Sequence, residues 1–355
     1  FFGNEKKYLN DCIDSTFVSS VGTYVDRFEK EFATRVGSKY AIATVNGTAA
    51  LHTALLLAGV AHHDEVLTQS VSFVATPNAI TYCGAQPIFL DSDKSTLGLS
   101  PTALESFLID NCHIKKDGYT YNLKTGRKIS ACVPVHIFGH PARIDQINKI
   151  CNRFNITLVE DAAEALGSYY NGKHAGRFGK LGILSFNGNK IITTGGGGMI
   201  LTDDDSLAKQ AKHITTTAKK EHGWEYFHDQ TGYNYRMPNI NAALGCAQME
   251  NIHKILINKR NLASSYNVFF KSLNIPFVEE PEYCVSNYWL NAIITSNKKE
   301  RDGLLTYSNK HKVMMRPLWT LLHRLPMYNS CQTDSLKNAR WLEQRIVNIP
   351  SSVTQ

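Results

Sequence analysis

Ser185-Phe186-Asn187-Gly188-Asn189-Lys190-Ile191-Ile192-Thr193-Thr194-Gly195-Gly196-Gly197-Gly198 sets one lysine in a tight polar turn between two apolar segments. Leu181-Gly-Ile-Leu-Ser185-Phe186 before it reads as a short buried strand, and Gly198-Met-Ile-Leu-Thr202 after it reads as another. Lys190 therefore belongs to a link between two core strands, half buried rather than on a solvated loop. Burial disfavours a charged ammonium, and a neutral amine is what imine formation with an aldehyde requires. Upstream, Thr157-Leu-Val-Glu160 reads as a strand that delivers Asp161 at its end, with Glu164 just beyond. A lysine able to form an imine, with a buried carboxylate able to keep a pyridine nitrogen protonated, is the donor set of a pyridoxal phosphate site.

The glycine run fits neither of two common nucleotide loops. A G-x-G-x-x-G fingerprint must open a helix, whereas position 200 is Ile and this run feeds a strand. A Walker loop requires Gly-Lys-[Ser/Thr], but Asn189 separates Gly188 from Lys190 and Ile191 follows.

Composition narrows the class. With 355 residues, 43% apolar and 19% charged, the chain can bury one large core and a smaller second one. No stretch of about 18 apolar residues offers a membrane span, and Phe1-Phe2-Gly3-Asn4-Glu5-Lys6-Lys7 lacks the apolar core of a signal peptide. The eight cysteines are scattered without a C-x-x-C pair, which suits reduced thiols of a cytoplasmic protein better than disulfides or a metal site. The net charge of +7 is spread along the chain, so it suits an anionic small substrate and argues against nucleic-acid binding.

From about residue 41 to residue 201, short apolar runs alternate with helical stretches, the pattern of an α/β protein with a mainly parallel sheet. Strands are expected at Tyr40–Ala43, Glu65–Thr68, Gln86–Leu90, Ala131–Val135, Thr157–Glu160, Ile183–Phe186 and Gly198–Leu201. Asp117–Lys128 alternates aromatic and β-branched residues between turn formers, as an inserted hairpin would. Asn239–Leu273 predicts one long helix or two in series, and after Pro276 the composition shifts to a smaller α+β unit. The expected division is a large cofactor-binding unit over 1–240, N-terminal segment included, and a connecting helix with a small C-terminal unit over 241–355.

Ligands of open parallel sheets sit beyond the carboxyl ends of the strands, and several reactive residue types fall there. Asn46-Gly47-Thr48-Ala49 opens a helix, so free N–H groups at Gly47 and the Thr48 hydroxyl suit a phosphate, with Ser185 adding a second hydroxyl. Phe73 follows another strand end and suits stacking on a flat ring. Asp161 and Glu164 bring two carboxylates to the same mouth, where burial calls for a cationic partner.

Asn46-Gly47-Thr48-Ala49-Ala50-Leu51, Val135-His136-Ile-Phe-Gly139, Glu160-Asp161-Ala162-Ala163-Glu164-Ala165-Leu166-Gly167, Ser185-Phe186 to Lys190-Ile-Ile-Thr-Thr194 and Gly232-Tyr233-Asn234-Tyr235-Arg236-Met237 occur in this order. Together they resemble the DegT/DnrJ/EryC1/StrS family of sugar aminotransferases, of pyridoxal phosphate fold type I, across nearly the whole chain. The resemblance implies that Lys190 forms the imine, Asp161 pairs with the ring nitrogen, and Glu164 lies near the ring hydroxyl where many relatives carry Gln. It gives the phosphate to Gly47, Thr48 and Ser185 and the ring face to Phe73. Asn234 resembles a residue that reaches a neighbour's cofactor phosphate, implying a homodimer with shared sites. Against the family pattern both ends look short, so terminal residues are expected beyond them.

The resemblance further implies L-glutamate as amino donor and a nucleotide-linked keto sugar as acceptor. Gly3-Asn4-Glu5, Ser19-Ser20-Val21-Gly22, Arg316-Pro317-Leu318-Trp319 and Asn348-Ile349-Pro350-Ser351-Ser352 look like the subgroup acting on UDP-linked 4-keto-6-deoxy-N-acetylhexosamines, precursors of bacillosamine-type and legionaminic-acid-type surface sugars. Arg316 and His323 are then candidates for the diphosphate, and Lys219, Lys220 and His222, in a polar loop, for the nucleotide. A GDP- or TDP-linked keto sugar is the alternative substrate. A cofactor-binding regulator without turnover is the alternative class, opposed by the intact Lys190 and Asp161.

Overall fold

The computed structural model describes residue 1 and residues 3–353; Phe2, in the opening segment weighed above as a leader, and Thr354 and Gln355 lie outside the described residues. Among the described residues the main sheet has nine strands, two of them in a short hairpin, and its main path is β1 Tyr40–Thr44, β2 Glu65–Gln69, β3 Gln86–Leu90, β4 Lys128–Val133, β5 Thr157–Asp161, β6 Leu181–Ser185 and β7 Gly198–Thr202. Their spatial order is β1-β7-β6-β5-β4-β2-β3. From β6 to β3 every pair is parallel, whereas β7 runs antiparallel to both β1 and β6. The carboxyl ends of β1, β2, β5 and β6 therefore meet the amino end of β7 at one edge. That single reversal brings the glycine run to the same place as Asn46 and Asp161.

The strands read as near-continuous apolar runs because helices cover both faces. Helix α1 spans Glu5–Asp14, α2 Thr23–Val36, α3 Gly47–Leu57, α4 Ala75–Tyr82, α5 Pro101–Asn111, α6 Ile144–Arg153 and α7 Asp205–Thr215. The expected hairpin forms, with Thr120–Asn122 pairing antiparallel to Cys112–Ile114 and to β4. This pairing starts β4 at Lys128 rather than at Ala131. Pro134 has no N–H for the ladder, so β4 stops at Val133 and Val135 keeps only a lone bridge to Asp161.

Two helices in series, α8 Asn239–Glu250 and α9 Ile252–Ser272, follow. Helix α8 packs on the N-terminal helices: a Cβ at Gly245 would fall 2.8 Å from the Phe28 ring, and Asn239 Oδ1 accepts the Tyr24 N–H at 3.0 Å. The C-terminal strands β8 Asn291–Ile294, β9 Arg316–Pro317 and β10 Ile346–Ile349 form a small antiparallel sheet in the order β8-β10-β9. Phe270, Phe277, Ile293, Val347 and Ile349 pack its core. The chain also returns to the edge of the large sheet, where Phe89 N–H donates to Gln332 O at 2.9 Å. There the Asp91 carboxylate accepts the N–H groups of Asn338 and Ala339, at 2.8 and 2.7 Å, in the first turn of α10 Lys337–Glu343. Charge at a helix start and cover for an edge strand are obtained together. Among the described residues no helix is long and apolar enough to cross a membrane.

Candidate active site

The loop between β6 and β7 is held at its base. Phe186 N–H donates to Gly197 O at 2.8 Å and Thr194 N–H to Phe186 O at 3.0 Å, while the Phe186 ring is buried 5.3 Å from those of both Phe28 and Phe32. Above this anchor the chain turns tightly, with Lys190 N–H on Asn187 O at 3.0 Å. The Lys190 side chain is 14% exposed, with Nζ 3.6 Å from Glu164 Oε1 and 3.8 Å from the centre of the Trp289 ring. Trp289 Nε1 donates in turn to Asn189 O at 2.6 Å, so the indole is tied to the turn it covers.

Both carboxylates are buried. Asp161, 5% exposed, accepts Thr76 Oγ1–H at 2.8 Å and Ala163 N–H at 3.1 Å. Burial raises its pKa, opposed by those two hydrogen bonds and then by Lys190 and His136. Among the described residues no salt bridge reaches Asp161, since Lys190 leans to Glu164. A buried anion without a paired cation is the setting in which a protonated ring nitrogen is welcome. Glu164 accepts Phe138 N–H at 2.8 Å. Burial pushes it from an ordinary 4.5 to about 7, against the pull of Lys190 and the Phe138 amide.

The anion cradle lies at the start of α3. Asn46 caps the helix by accepting Ala49 N–H at 2.7 Å, and the first-turn N–H groups of Gly47 and Thr48 find no partner among the described residues. Glycine is required twice here. A Cβ at Gly47 would stand 2.9 Å from Ser185 Cβ, and one at Gly198 would stand 2.4 Å from the carbonyl oxygen of Asn46. Their absence lets β1, β6, β7 and α3 converge, setting the Thr48 and Ser185 side chains beside the free amides.

A cavity of about 360 Å³ joins these parts, lined by Gly47, Thr48, Thr76, Asp161, Glu164, Ser185 and Lys190, with Phe73, Trp289 and Trp319 around it. Phe73 is 53% exposed, its ring centre 6.5 Å from that of Trp319. A second cavity, about 890 Å³, shares Asn189, Lys190, Trp289 and Trp319 with the first and extends to Arg316, Lys259 and the chain from Asn348 to Val353. Lys190 thus faces both spaces.

The remaining candidates are not brought to the inner cavity. Arg316 lines the outer one, exposed, with Nη1 on Asn309 Oδ1 at 2.8 Å. His323 lines neither cavity: its Nδ1 pairs with Ser70 Oγ at 2.8 Å behind the end of β2. Lys219, Lys220 and His222 sit on an exposed segment folded on itself. Lys219 lies over Tyr226 at 4.1 Å, Lys220 pairs with Asp229 at 3.5 Å, and His222 accepts Glu225 N–H at 3.0 Å. That segment also exposes Trp224 and Phe227, so it is less polar than the sequence reading had it. Asn234 is exposed and outside both cavities.

Thr76 and Trp289 are missing from the sequence reading, and Trp319 entered it only within the Arg316–Trp319 motif, without a place in the cavity. Thr76 lies one helical turn beyond Phe73 and was within reach of the same strand-end logic. The tryptophans carry no local signal, since Trp289 contacts a carbonyl 100 positions away.

The donor set fits a flat aromatic aldehyde phosphate: an amine, a buried carboxylate without a paired cation, an amide-and-hydroxyl cradle and an exposed ring face line one cavity. Comparison with known proteins points the same way. The profile of the DegT/DnrJ/EryC1/StrS aminotransferase family matches residues 3–354. A GDP-perosamine synthase of Escherichia coli O157:H7 is 38% identical over 349 residues, covering 98% of this chain and 90% of the relative. One from Vibrio cholerae is 36% identical over 352 residues, covering 98% and 91%. The crystal structure of a DegT DnrJ EryC1 StrS aminotransferase from Brucella abortus superposes with a TM-score of 0.88 at 24% identity, covering 98% of this chain and 90% of that one, which establishes the fold.

Proposed function

The chain belongs to the DegT/DnrJ/EryC1/StrS aminotransferase family, pyridoxal phosphate-dependent enzymes acting on sugars, and on that premise we propose that it moves an amino group from L-glutamate to the ketone of a GDP-linked keto sugar. The observation that carries the nucleotide choice is the likeness, over 98% of the chain, to two GDP-perosamine synthases. It favours GDP over the UDP-linked N-acetylhexosamine expected from short motifs near the two ends of the sequence.

Bound pyridoxal phosphate supplies an aldehyde that condenses with amines and an electron-poor ring that draws off the electron pair of the adjoining carbon. Lys190 would hold the cofactor through Nζ, and its free amine would take the proton from the donor carbon. In the second half-reaction Lys190 returns a proton to the sugar carbon. Asp161, oriented by Thr76 and the Ala163 amide, would be the carboxylate that meets the ring nitrogen. Gly47, Thr48 and Ser185 would hold the phosphate, Phe73 would offer a face to the ring, and Glu164, beside Lys190, would meet the ring hydroxyl. Arg316, in the outer cavity, meets the sugar-linked diphosphate. Asn234, exposed and remote from this chain's own cavity, serves a second copy across a homodimer interface.

The test is a panel of GDP-, UDP- and TDP-linked 4-keto sugars with L-glutamate, following 2-oxoglutarate. Preference for the GDP-linked ketone by about tenfold or more in kcat/KM supports the assignment. Equal or better use of a UDP- or TDP-linked ketone refutes it.

A further inference from the structure

We propose that Lys259 is a positioning residue for Lys190, clamping the backbone carbonyls of Trp289 and Ser351 so that the Trp289 indole stays fixed over the reacting amine. The inference rests on the reading of Lys190 as that amine.

Lys259 lies on α9 and is 5% exposed. Its Nζ donates to Trp289 O at 2.7 Å and to Ser351 O, and among the described residues no carboxylate pairs with it. Burial alone brings its pKa down to about 8. An ammonium without a counter-charge is an expensive way to fill a core position that a methionine would fill with hydrocarbon. The two carbonyls it holds account for it.

Trp289 is gripped from both sides. Its N–H donates to Asn287 Oδ1 at 2.8 Å, and Asn287 Nδ2 donates to the carbonyls of Glu164 and Leu166 at 2.8 and 2.9 Å. Asn287 thus ties the Trp289 amide to the loop bearing Glu164, and Lys259 ties the Trp289 carbonyl to α9. Between these holds the indole gives its Nε1–H to Asn189 O and turns its face to Lys190 Nζ. The other carbonyl belongs to the final segment, where Ser351 Oγ accepts Asn291 N–H at 2.8 Å. One ammonium therefore joins α9, the tryptophan over Lys190 and the far wall of the outer cavity.

Lys259→Met and Trp289→Phe, singly and combined, test this in cofactor-free protein. The readout is the rate at which added pyridoxal phosphate becomes fixed to Lys190 by borohydride, located by peptide mass, with melting temperature recorded alongside. Each single substitution is expected to slow capture by about tenfold, as a displaced reacting group does, and the pair to slow it no more than the larger single effect. A lowered melting temperature with unchanged capture, or effects that multiply, overturns the proposal. If Lys259→Met does not fold, Lys259→Leu, which also removes both hydrogen bonds, takes its place: slowed capture supports the clamp and wild-type capture overturns it. No sugar enters this assay, so failure of the GDP-sugar assignment leaves it intact. Absence of capture in the wild type removes both the clamp and the role of Lys190.

Discussion

Glu164→Gln isolates an inner-cavity carboxyl that burial pushes up to about 7. Below about pH 4.5 Glu164 is protonated in the folded and unfolded chain alike and stability does not depend on it. Between 4.5 and about 7 the unfolded chain releases the proton while the folded site retains it, so stability falls as pH rises. Above about 7 both states are ionised and the full cost is present. At about 1.4 kcal/mol per pH unit, that interval makes about 3 kcal/mol depend on this carboxyl. The attraction to Lys190, 3.6 Å away, is already contained in the value of about 7. Glutamine carries no such proton, so the variant gains about 3 kcal/mol on the wild type between pH 5 and pH 8. With about 2.1 cal/mol/K of unfolding entropy per residue, this is a melting-temperature gap that widens by about 4 °C. Thermal melts of both proteins, stripped of cofactor, at pH 5, 6, 7 and 8 measure it. A gap that stays constant across that range refutes the reasoning, because it leaves Glu164 ionised as an exposed glutamate would be.

Asp161→Asn keeps the shape but removes the charge directed at the cofactor ring, and kcat is expected to fall by at least about 10²-fold with cofactor still bound, read by single-turnover kinetics with L-glutamate. Thr76→Val withdraws one of the two hydrogen bonds to Asp161, so the Asp161 pKa moves further up and the acid limb of the kcat/KM profile shifts to higher pH; an unshifted limb removes Thr76 from the site. Gly198→Ala pushes a methyl against the Asn46 carbonyl, and cofactor affinity measured by equilibrium dialysis is expected to drop by about tenfold or more. Arg316→Ala is expected to raise the KM for the nucleotide sugar by about fivefold or more with kcat within about twofold; an unchanged KM takes Arg316 out of substrate binding.

Much of the site was legible because its parts lie at ends of elements that announce themselves locally. Thr157–Asp161 has an apolar middle, Leu158-Val159, and ends in carboxylates, Asn46-Gly47-Thr48 has the form of a cap and first turn, and Lys190 lies between two apolar runs. Boundaries were less legible: β4 begins at Lys128 because a hairpin strand pairs with it, and partners of this kind leave no mark on the residues they extend. His323 illustrates the reverse, since nothing near it in sequence announced Ser70, the partner that occupies its ring nitrogen.

The sequence by itself determined the α/β alternation, the lysine between two strands, the two carboxylates at a strand end and the capped start of α3, because periodicity, capping and strand ends are properties of neighbouring residues. Only the tertiary structure decided that β7 reverses to bring its glycines beside Asn46, that Trp289 covers Lys190, that Glu164 and not Asp161 pairs with it, and that Lys259 braces the arrangement from a distant helix. Burial, and the hydrogen bonds that make it tolerable, belong to contacts between residues scores of positions apart, which no local pattern encodes.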